Sequence, residues 1–434
     1  MRFMNTAAVI GVTTATGLAT SWVDGAMTWM EPGANAERPV GPAVVHPIAP
    51  HDRPVIQLAL LFDTSNSMDG LIDQARAALW AVVNEMALAK HGGETPELQV
   101  ALIEYGNSSV PSSLGHVRVR TNFTTDLDLL SEQLFGLRTN GGDEWCGRAI
   151  GEANDVLWWW DQLQSNCRVA LPESLGDAAM GAVREGLTAG RAVERPGVRG
   201  PVVKVLVVAG NEPFSQGSTP YQETIAAARA SGVVVSTVYC GDRKKGAATR
   251  WEDGARLGGG LYASIDSDRR VAEPPTPYDD RLSKLNVSLN ATYLPYGVSG
   301  EALAQRQVSQ DRLNSAAGVG MRRMAAKSGV NYVQAEWDLV DAIDQGLLKL
   351  KDIELGGMPE SFRGLTIEEQ RARVDSARSA RAGVREQMAE VAAEREAFLE
   401  AWRAERAAVP ATLDTVLVDG VREQVAARGY TFED

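Results

Sequence analysis

One apolar strand pattern constrains the fold of this chain more than any other feature. Residues 55–63 read VIQLALLFD, a nearly continuous apolar run that ends in an aspartate. Such a run is typical of a strand buried on both faces of a parallel sheet, because half-exposed strands alternate apolar and polar residues. Parallel neighbours must be joined by crossovers, usually helices, so this strand predicts an α/β domain.

The segments that follow alternate between strand and helix patterns as far as residue 268. Strand patterns recur in ELQVALIEY, VVKVLVVAG and VVVSTVYC, and helical spacing lies between them. This order predicts a Rossmann-like α/β domain over 55–268, with a mostly parallel central sheet and helices on both faces. One connection is longer than this plan requires, and its helix-forming composition predicts a helical insertion at about 164–200.

The loop after the first strand presents oxygen-bearing side chains at alternate positions. Asp63, Ser65 and Ser67 follow the carboxyl end of the strand, which is where ligands bind in open parallel sheets. One charged and two neutral oxygens suit a hard divalent cation that keeps several waters, as Mg²⁺ does. The alternative is that these side chains cap the helix that follows.

The same residues resemble a known family. LLFDTSNSM looks like the first loop of a von Willebrand factor type A (VWA) domain, and the strand and helix order over 55–268 agrees. The resemblance implies a metal-ion-dependent adhesion site, in which Asp-x-Ser-x-Ser is joined by a threonine from a second loop and an aspartate from a third. RTNGGDEWCG and VVAGNEPFSQG also resemble a group of uncharacterised bacterial VWA proteins with an AGNEPF loop.

The second loop departs from the pattern that the resemblance implies. The family's threonine lies just after a glycine pair, where this chain has Asp143. Asp143 is therefore the expected second-loop ligand, directly or through water. Thr139 and Glu144 are the alternatives in the same loop.

The third loop departs as well. Gly210 and Asn211 occupy the places of the family's aspartate and glycine, so Glu212 is the nearest carboxylate. If Asp63, Asp143 and Glu212 all coordinate, the ion is largely neutralised and attracts an acidic partner less. Mg²⁺ is the preferred ion for a site of this kind, and Mn²⁺ and Ca²⁺ are alternatives.

Residues 279–434 carry helical patterns only and predict an all-helical region with one long helix. Thr366 and Glu369 form a capping-box pattern at the start of that helix. Apolar residues then follow at spacings of three and four along 367–409, and Arg381 and Arg395 are among the polar residues that interrupt this seam. We expect the seam to pack within the chain; a coiled-coil homo-oligomer through 367–409 is the alternative.

The N-terminus predicts export. Residues 1–26 resemble a weak secretory signal, with Arg2 before a mildly apolar stretch and small residues after it. Six prolines within 27–54 predict an extended linker. The expected location of this bacterial-looking chain is extracytoplasmic, periplasmic or secreted, with a cytoplasmic address as the alternative. Apart from the signal-like segment, no stretch is apolar for long enough to span a membrane.

The three cysteines match no zinc-binding spacing. A disulfide between Cys146 and Cys240 is the preferred pairing, and the alternative is that Cys146, Cys167 and Cys240 are buried free thiols.

Composition and motifs exclude several functional classes. The formal net charge of −13 argues against nucleic-acid binding, which normally needs a basic surface. Only four histidines are present, and no Ser-His-Asp or Cys-His arrangement and no GxxxxGK loop can be placed at the strand ends. We therefore predict a non-enzymatic, metal-dependent binding module for a protein or cell-surface ligand. The alternative is a scaffold that acts through its C-terminal helices and has a structural or vestigial metal site.

Overall fold

The computed structural model describes residues 22–23, 26–27, 53–160, 201–269, 273–353, 357–405 and 411–432. The rest of the signal-like segment, the proline-rich linker up to residue 52, the predicted insertion at 164–200 and Cys167 lie outside the described residues. Residues 1–48 and 49–434 are separate units. In the first unit, the strand Trp22–Val23 pairs antiparallel with the strand Ala26–Met27.

A six-stranded sheet forms the centre of the second unit. Its strands are Val55–Asp63 (β1), Glu97–Tyr105 (β2), Arg118–Thr124 (β3), Val202–Gly210 (β4), Val234–Cys240 (β5) and Gly259–Ile265 (β6). They lie in the order β3-β2-β1-β4-β5-β6, and all neighbours are parallel except β2 and β3, which pair antiparallel at one edge. The predicted mostly parallel sheet is confirmed.

Helices cover both faces of this sheet, as the fold class predicts. Those that alternate with the strands are Asp69–Leu88 (α1), Leu127–Gly136 (α2), Cys146–Val156 (α3), Tyr221–Ala230 (α4), Arg243–Ala248 (α5) and Trp251–Gly258 (α6). Successive side chains of β1 enter opposite cores, because a strand alternates its faces. Leu58 and Leu60 join the core under α1 and α2, whereas Ala59 and Leu61 join the core under α3, α4 and α6.

A helical region follows the last strand, again as predicted. Its helices are Asp279–Asn290 (α7), Gly300–Ala316 (α8), Gly320–Ser328 (α9), Leu339–Asp344 (α10), Ile367–Ala404 (α11) and Leu413–Ala426 (α12). The capping box of Thr366 and Glu369 is present at the start of the long helix α11. No helix within the described ranges is long and apolar enough to cross a membrane.

The last helix, α12, returns to the sheet and packs along α1. Its buried side chains Leu413, Leu417 and Val421 belong to the same core as β1 and α1. Beyond it, Thr431–Phe432 pairs with Ala89–Lys90, which directly follows α1. The C-terminal segment therefore contacts α1 along its length and supplies part of the core on that face of the sheet.

The predicted seam of α11 packs against helices of the same chain. Val374, Met388 and Val391 are buried, and α11 contacts α7, α9 and α10. The arginines that interrupt the seam are also buried, because each meets carboxylates of another segment. Arg381 pairs with Asp338 and Asp341 at 2.6 Å, and Arg395 pairs with Glu273 at 2.7 Å and Asp279 at 2.9 Å.

The preferred disulfide is wrong. Cys146 and Cys240 are both buried free thiols. Cys146 begins α3 in the core on one face of the sheet, whereas Cys240 ends β5 in the core on the other face. The sheet therefore separates the two sulfur atoms.

Candidate cation site

The candidate site begins where β1 ends in Asp63. This residue is fully buried, and its Oδ1 accepts a hydrogen bond from the backbone N–H of Ser65 at 2.8 Å. Its Oδ2 is shielded from solvent and has no hydrogen-bond partner among the described residues. A buried carboxylate oxygen without a donor is unfavourable, so either a proton shared with a neighbouring carboxyl group or a bound cation must satisfy this atom.

The two serines lie beside each other in the same loop. Ser65 Oγ and Ser67 Oγ are 3.5 Å apart. From the end of β4, the side-chain amide of Asn211 donates to Ser67 Oγ at 3.0 Å, and Asn211 Oδ1 is itself buried and unpaired. The alternative prediction of a helix cap finds no counterpart at α1, whose N-cap residue is Met68 with no side-chain cap hydrogen bond.

Glu144 brings the second loop to Asp63. It is buried beside Asp63. Desolvation by burial raises the pKa of Asp63 well above the usual value, and the neighbouring carboxyl group of Glu144 raises it further. Glu144 Oε2 also accepts from the backbone N–H of Glu212 at 3.2 Å, and the Glu144 N–H donates to Gln216 Oε1 at 2.9 Å. Glu144 therefore joins the first, second and third loops.

The other predicted ligands lie elsewhere on the rim. Asp143 is exposed. The Thr139 hydroxyl has another partner, since it donates to Asp69 Oδ1 at 2.6 Å. The Glu212 side chain is exposed, and the residue contacts the site through its backbone N–H, which donates to Glu144 Oε2 at 3.2 Å. Its carbonyl accepts from Trp251 Nε1 at 2.8 Å. The structure thus brings Asp63, Ser65, Ser67 and Glu144 together, but not the side chains of the other three.

Two glycines make room for this arrangement. Gly106, at φ +75°, lies so close that a β-carbon there would be 2.7 Å from Asp63 Oδ1 and 2.9 Å from Glu144 Cγ. A β-carbon at Gly210 would lie 2.4 Å from Tyr105 Oη and 3.1 Å from Asp63 Cβ. Tyr105 is in turn fixed, because its hydroxyl donates to the Ala209 carbonyl at 2.9 Å. Sequence reasoning assigned no role at the site to Asn211 or Gly106; the signal for each was its position directly after a buried strand.

The donor set fits a hard divalent cation. Two carboxyl groups, two hydroxyls and an amide oxygen are the oxygen ligands that Mg²⁺ and Ca²⁺ accept. Within the part of the chain that the structure describes, no group of three or more His, Cys, Asp or Glu side chains is placed to hold a metal. An ion here would therefore depend on Asp63 and Glu144, neutral oxygens and water, as Mg²⁺ sites commonly do.

Comparisons with known proteins find similarity at the level of structure. No family model and no curated protein matches the sequence. Proximal thread matrix protein 1 from the mussel byssus is 10% identical, with a TM-score of 0.31, and the match covers 50% of this chain and only 43% of that protein. BatB, a conserved hypothetical protein from Bacteroides thetaiotaomicron, is 13% identical at a TM-score of 0.30 over 59% of this chain and 99% of its own. The VWA domain of SpRpn10 is 13% identical at a TM-score of 0.27 over 51% of this chain and 90% of its own. At these values the similarity carries no information about ligands.

Proposed function

We propose that the α/β domain built on this mostly parallel sheet is a von Willebrand factor type A-like, non-catalytic binding module that works with a divalent cation. Asp63, Ser65, Ser67 and Glu144 would hold the ion, which would anchor an oxygen ligand of a protein or surface partner. The observation that carries the proposal is the burial of Asp63 beside Glu144, with Asp63 Oδ2 left without a partner.

The electrostatics of the two carboxyls support this proposal. Two carboxylates buried side by side repel each other, and leaving water costs each of them further. Either a proton or a cation must therefore offset their charge. A divalent ion offsets both charges at once, and the hydroxyls of Ser65 and Ser67, which lie 3.5 Å apart in the same loop, would supply neutral oxygens to it.

Mg²⁺ is the proposed ion, with Mn²⁺ and Ca²⁺ as alternatives that the same oxygen set accepts. Asp143, Thr139 and Glu212 belong to the rim in this proposal. They would contact the ion through water or meet the partner, because their side chains are not gathered around Asp63.

A melting experiment on the full chain tests the proposal. Saturating Mg²⁺, Mn²⁺ or Ca²⁺ should raise the melting temperature over that in EDTA, since an ion at a hundredfold its Kd adds about 2.7 kcal/mol to the free energy of unfolding. Asp63→Asn should abolish the rise, whereas Asp143→Asn, the matched control, should keep most of it. Unchanged melting with all three ions would contradict the proposal.

The scaffold alternative rests on the extent of the helical region, whose long helix α11 keeps many exposed positions outside its buried seam. Self-association through 367–409 would have to use that outer face, because Val374, Met388 and Val391 are already buried. Light scattering of the full chain separates the two proposals. A monomer at all concentrations would remove self-association, and a dimer that is lost on charge reversal of the exposed residue Glu390 would favour it.

We propose an extracytoplasmic location, on the basis of the signal-like residues 1–26. Fractionation of the producing cell followed by N-terminal sequencing tests it. A mature N-terminus near residue 27 in the exported fraction supports the proposal, whereas an uncleaved cytoplasmic protein supports the alternative.

A further inference from the structure

A cavity of about 650 Å³ opens beside the candidate cation site. Ser67 and Asn211, which belong to that site, form its near wall. Met68, Cys240 and Ile265 supply buried apolar surface. The cavity therefore shares side chains with the site and extends from it toward the carboxyl ends of β5 and β6.

Three exposed carboxylates line the far side of this cavity, and they are Asp242, Asp266 and Asp268. Asp242 accepts hydrogen bonds from the first turn of α5, and Asp266 accepts one from the Asp268 N–H at 3.1 Å. The Asp268 carboxylate forms no hydrogen bond or ion pair with any described residue. Arg243 also lines the cavity, and its guanidinium lies over the Tyr262 ring at 4.8 Å.

One further unpaired atom on the cavity wall is an acceptor, because Asn211 Oδ1 is buried without a donor. Arg243 is the single cationic side chain among the described residues that line the cavity, and it lies against the Tyr262 ring. Asp242, Asp266 and Asp268 therefore give the lining an excess of negative charge. A ligand that complements this lining brings hydrogen-bond donors and positive charge.

We infer that this cavity receives the basic side chain, lysine or arginine, of a protein partner that docks at the cation site. The inference rests on the proposed function and gives the partner its chemistry. A divalent ion held by Asp63 and Glu144 has its charge offset, so it attracts a further carboxylate weakly. The neighbouring carboxylates disfavour an acidic side chain and favour a cation, which the apolar floor can contact through its methylene stem.

Fluorescence anisotropy with two labelled peptides tests the inference on the full chain in saturating Mg²⁺. The probes are an alternating lysine–glycine peptide and a glutamate–glycine peptide of the same length. The lysine peptide should bind and the glutamate peptide should not. Asp268→Asn should weaken the lysine peptide about fivefold, the loss expected for one partly exposed ion pair.

Asp155→Asn is the matched control, because it removes the same charge from an exposed position near the far end of α3. Equal weakening by both variants would show nonspecific attraction to an acidic protein and would overturn the inference, as would tighter binding of the glutamate peptide. Melting temperatures with Mg²⁺, measured on the same samples, distinguish failure of the proposed function from failure of this inference. A chain that fails to respond to Mg²⁺ contradicts the proposed function itself, whereas a responsive chain without lysine preference contradicts only this inference.

Discussion

The side chain of Gln74 binds the backbone of Leu413, although 339 positions separate them in sequence. Gln74 Oε1 accepts from the Leu413 N–H at 2.8 Å. Its Nε2 donates to three carbonyl oxygens after β6, those of Asp266 at 2.6 Å, Ser267 at 3.1 Å and Arg269 at 3.0 Å. One buried amide thus joins α1, the exit from the sheet and the start of α12. Because α1 begins directly after the Asp63 loop, the C-terminal helix supports the element that follows the candidate site.

Gln74→Met keeps the length of this side chain but removes all of its hydrogen bonds. The variant should lose about 2–4 kcal/mol of unfolding free energy, because buried backbone groups are left unpaired. Urea denaturation at neutral pH measures the loss. Gln387→Met is the control, since Gln387 is exposed on α11, and it should change stability by less than about 0.5 kcal/mol. Equal stability of the two variants would contradict the role given to Gln74.

A buried ion pair joins α2 to the helical region. Arg323, fully buried on α9, donates to Asp128 at 2.6 Å and to Asp311 at 2.7 Å. Arg323→Met should cost about 3–5 kcal/mol, because it leaves the buried Asp128 without its ion-pair partner, whereas Asp311 keeps Lys327 at 3.0 Å. Arg403→Met removes the exposed pair with Glu396 and should cost less than about 1 kcal/mol. Chemical denaturation distinguishes them, and a small loss for Arg323→Met would mean that water reaches Asp128.

The buried ammonium group of Lys327 should give the free energy of unfolding an unusual dependence on pH. Burial lowers the pKa of its ammonium to about 8, against the opposing effect of Asp311, and Arg323 lowers it further. The charged groups around it are Asp311, Arg323 and Asp128, with Tyr332 close by. The unfolded chain therefore holds more protons than the folded chain between pH 8 and about 10.5, so this residue's contribution to stability rises with pH in that window.

Comparison with Lys327→Met isolates this effect. The difference in unfolding free energy between the native chain and the variant should shift in favour of the native chain from pH 7.5 to pH 9.5, as measured by urea titration at each pH. A difference that falls over this range would mean that Lys327 is stabilised as a cation by Asp311 more than burial destabilises it.

Gly106→Ala should damage the candidate site specifically. The φ of +75° costs an alanine about 1 kcal/mol, and the added β-carbon would press on Asp63 and Glu144. Gly297 has the same φ of +75° with no atom within 4 Å of an added β-carbon, so Gly297→Ala isolates the backbone cost. We expect the first variant to lose the Mg²⁺-dependent rise in melting temperature and the second to keep it. Equal responses would place the ion away from Gly106.

Local patterns predicted the sheet and the first loop. The run VIQLALLFD became the central strand because its burial on both faces depends on its own residues and on a parallel partner at each side. Asp63, Ser65 and Ser67 came together for the same reason, since a strand end and a short loop determine their relative positions.

The second loop could not be predicted at the level of single residues. Asp143 and Glu144 are neighbours of the same charge, yet Asp143 is exposed and Glu144 is buried. The choice depends on how this loop packs against the loop after β2, where a β-carbon at Gly142 would lie 2.4 Å from the Gly106 carbonyl oxygen. Such a contact between distant segments leaves no periodic signal in sequence.

Long-range pairing escaped sequence reasoning in the helical region as well. Arg381 and Arg395 interrupt an apolar seam when α11 is considered alone, and they are buried because Asp338 and Glu273 arrive from other segments. The packing of α12 against α1 could not be predicted either. The sequence pattern of α12 indicates an amphipathic helix but does not say which element it packs against.

The central claim is that Asp63 and Glu144 hold one divalent cation. Anomalous diffraction from a crystal of the full chain grown with Mn²⁺ tests it most directly. We predict a single peak at the carboxyl end of β1, within about 2.5 Å of an oxygen of Asp63 and of Glu144, with Ser65 or Ser67 alongside. The absence of a peak at Asp63, or a peak bound to Asp143 with Glu144 turned away, would contradict the account.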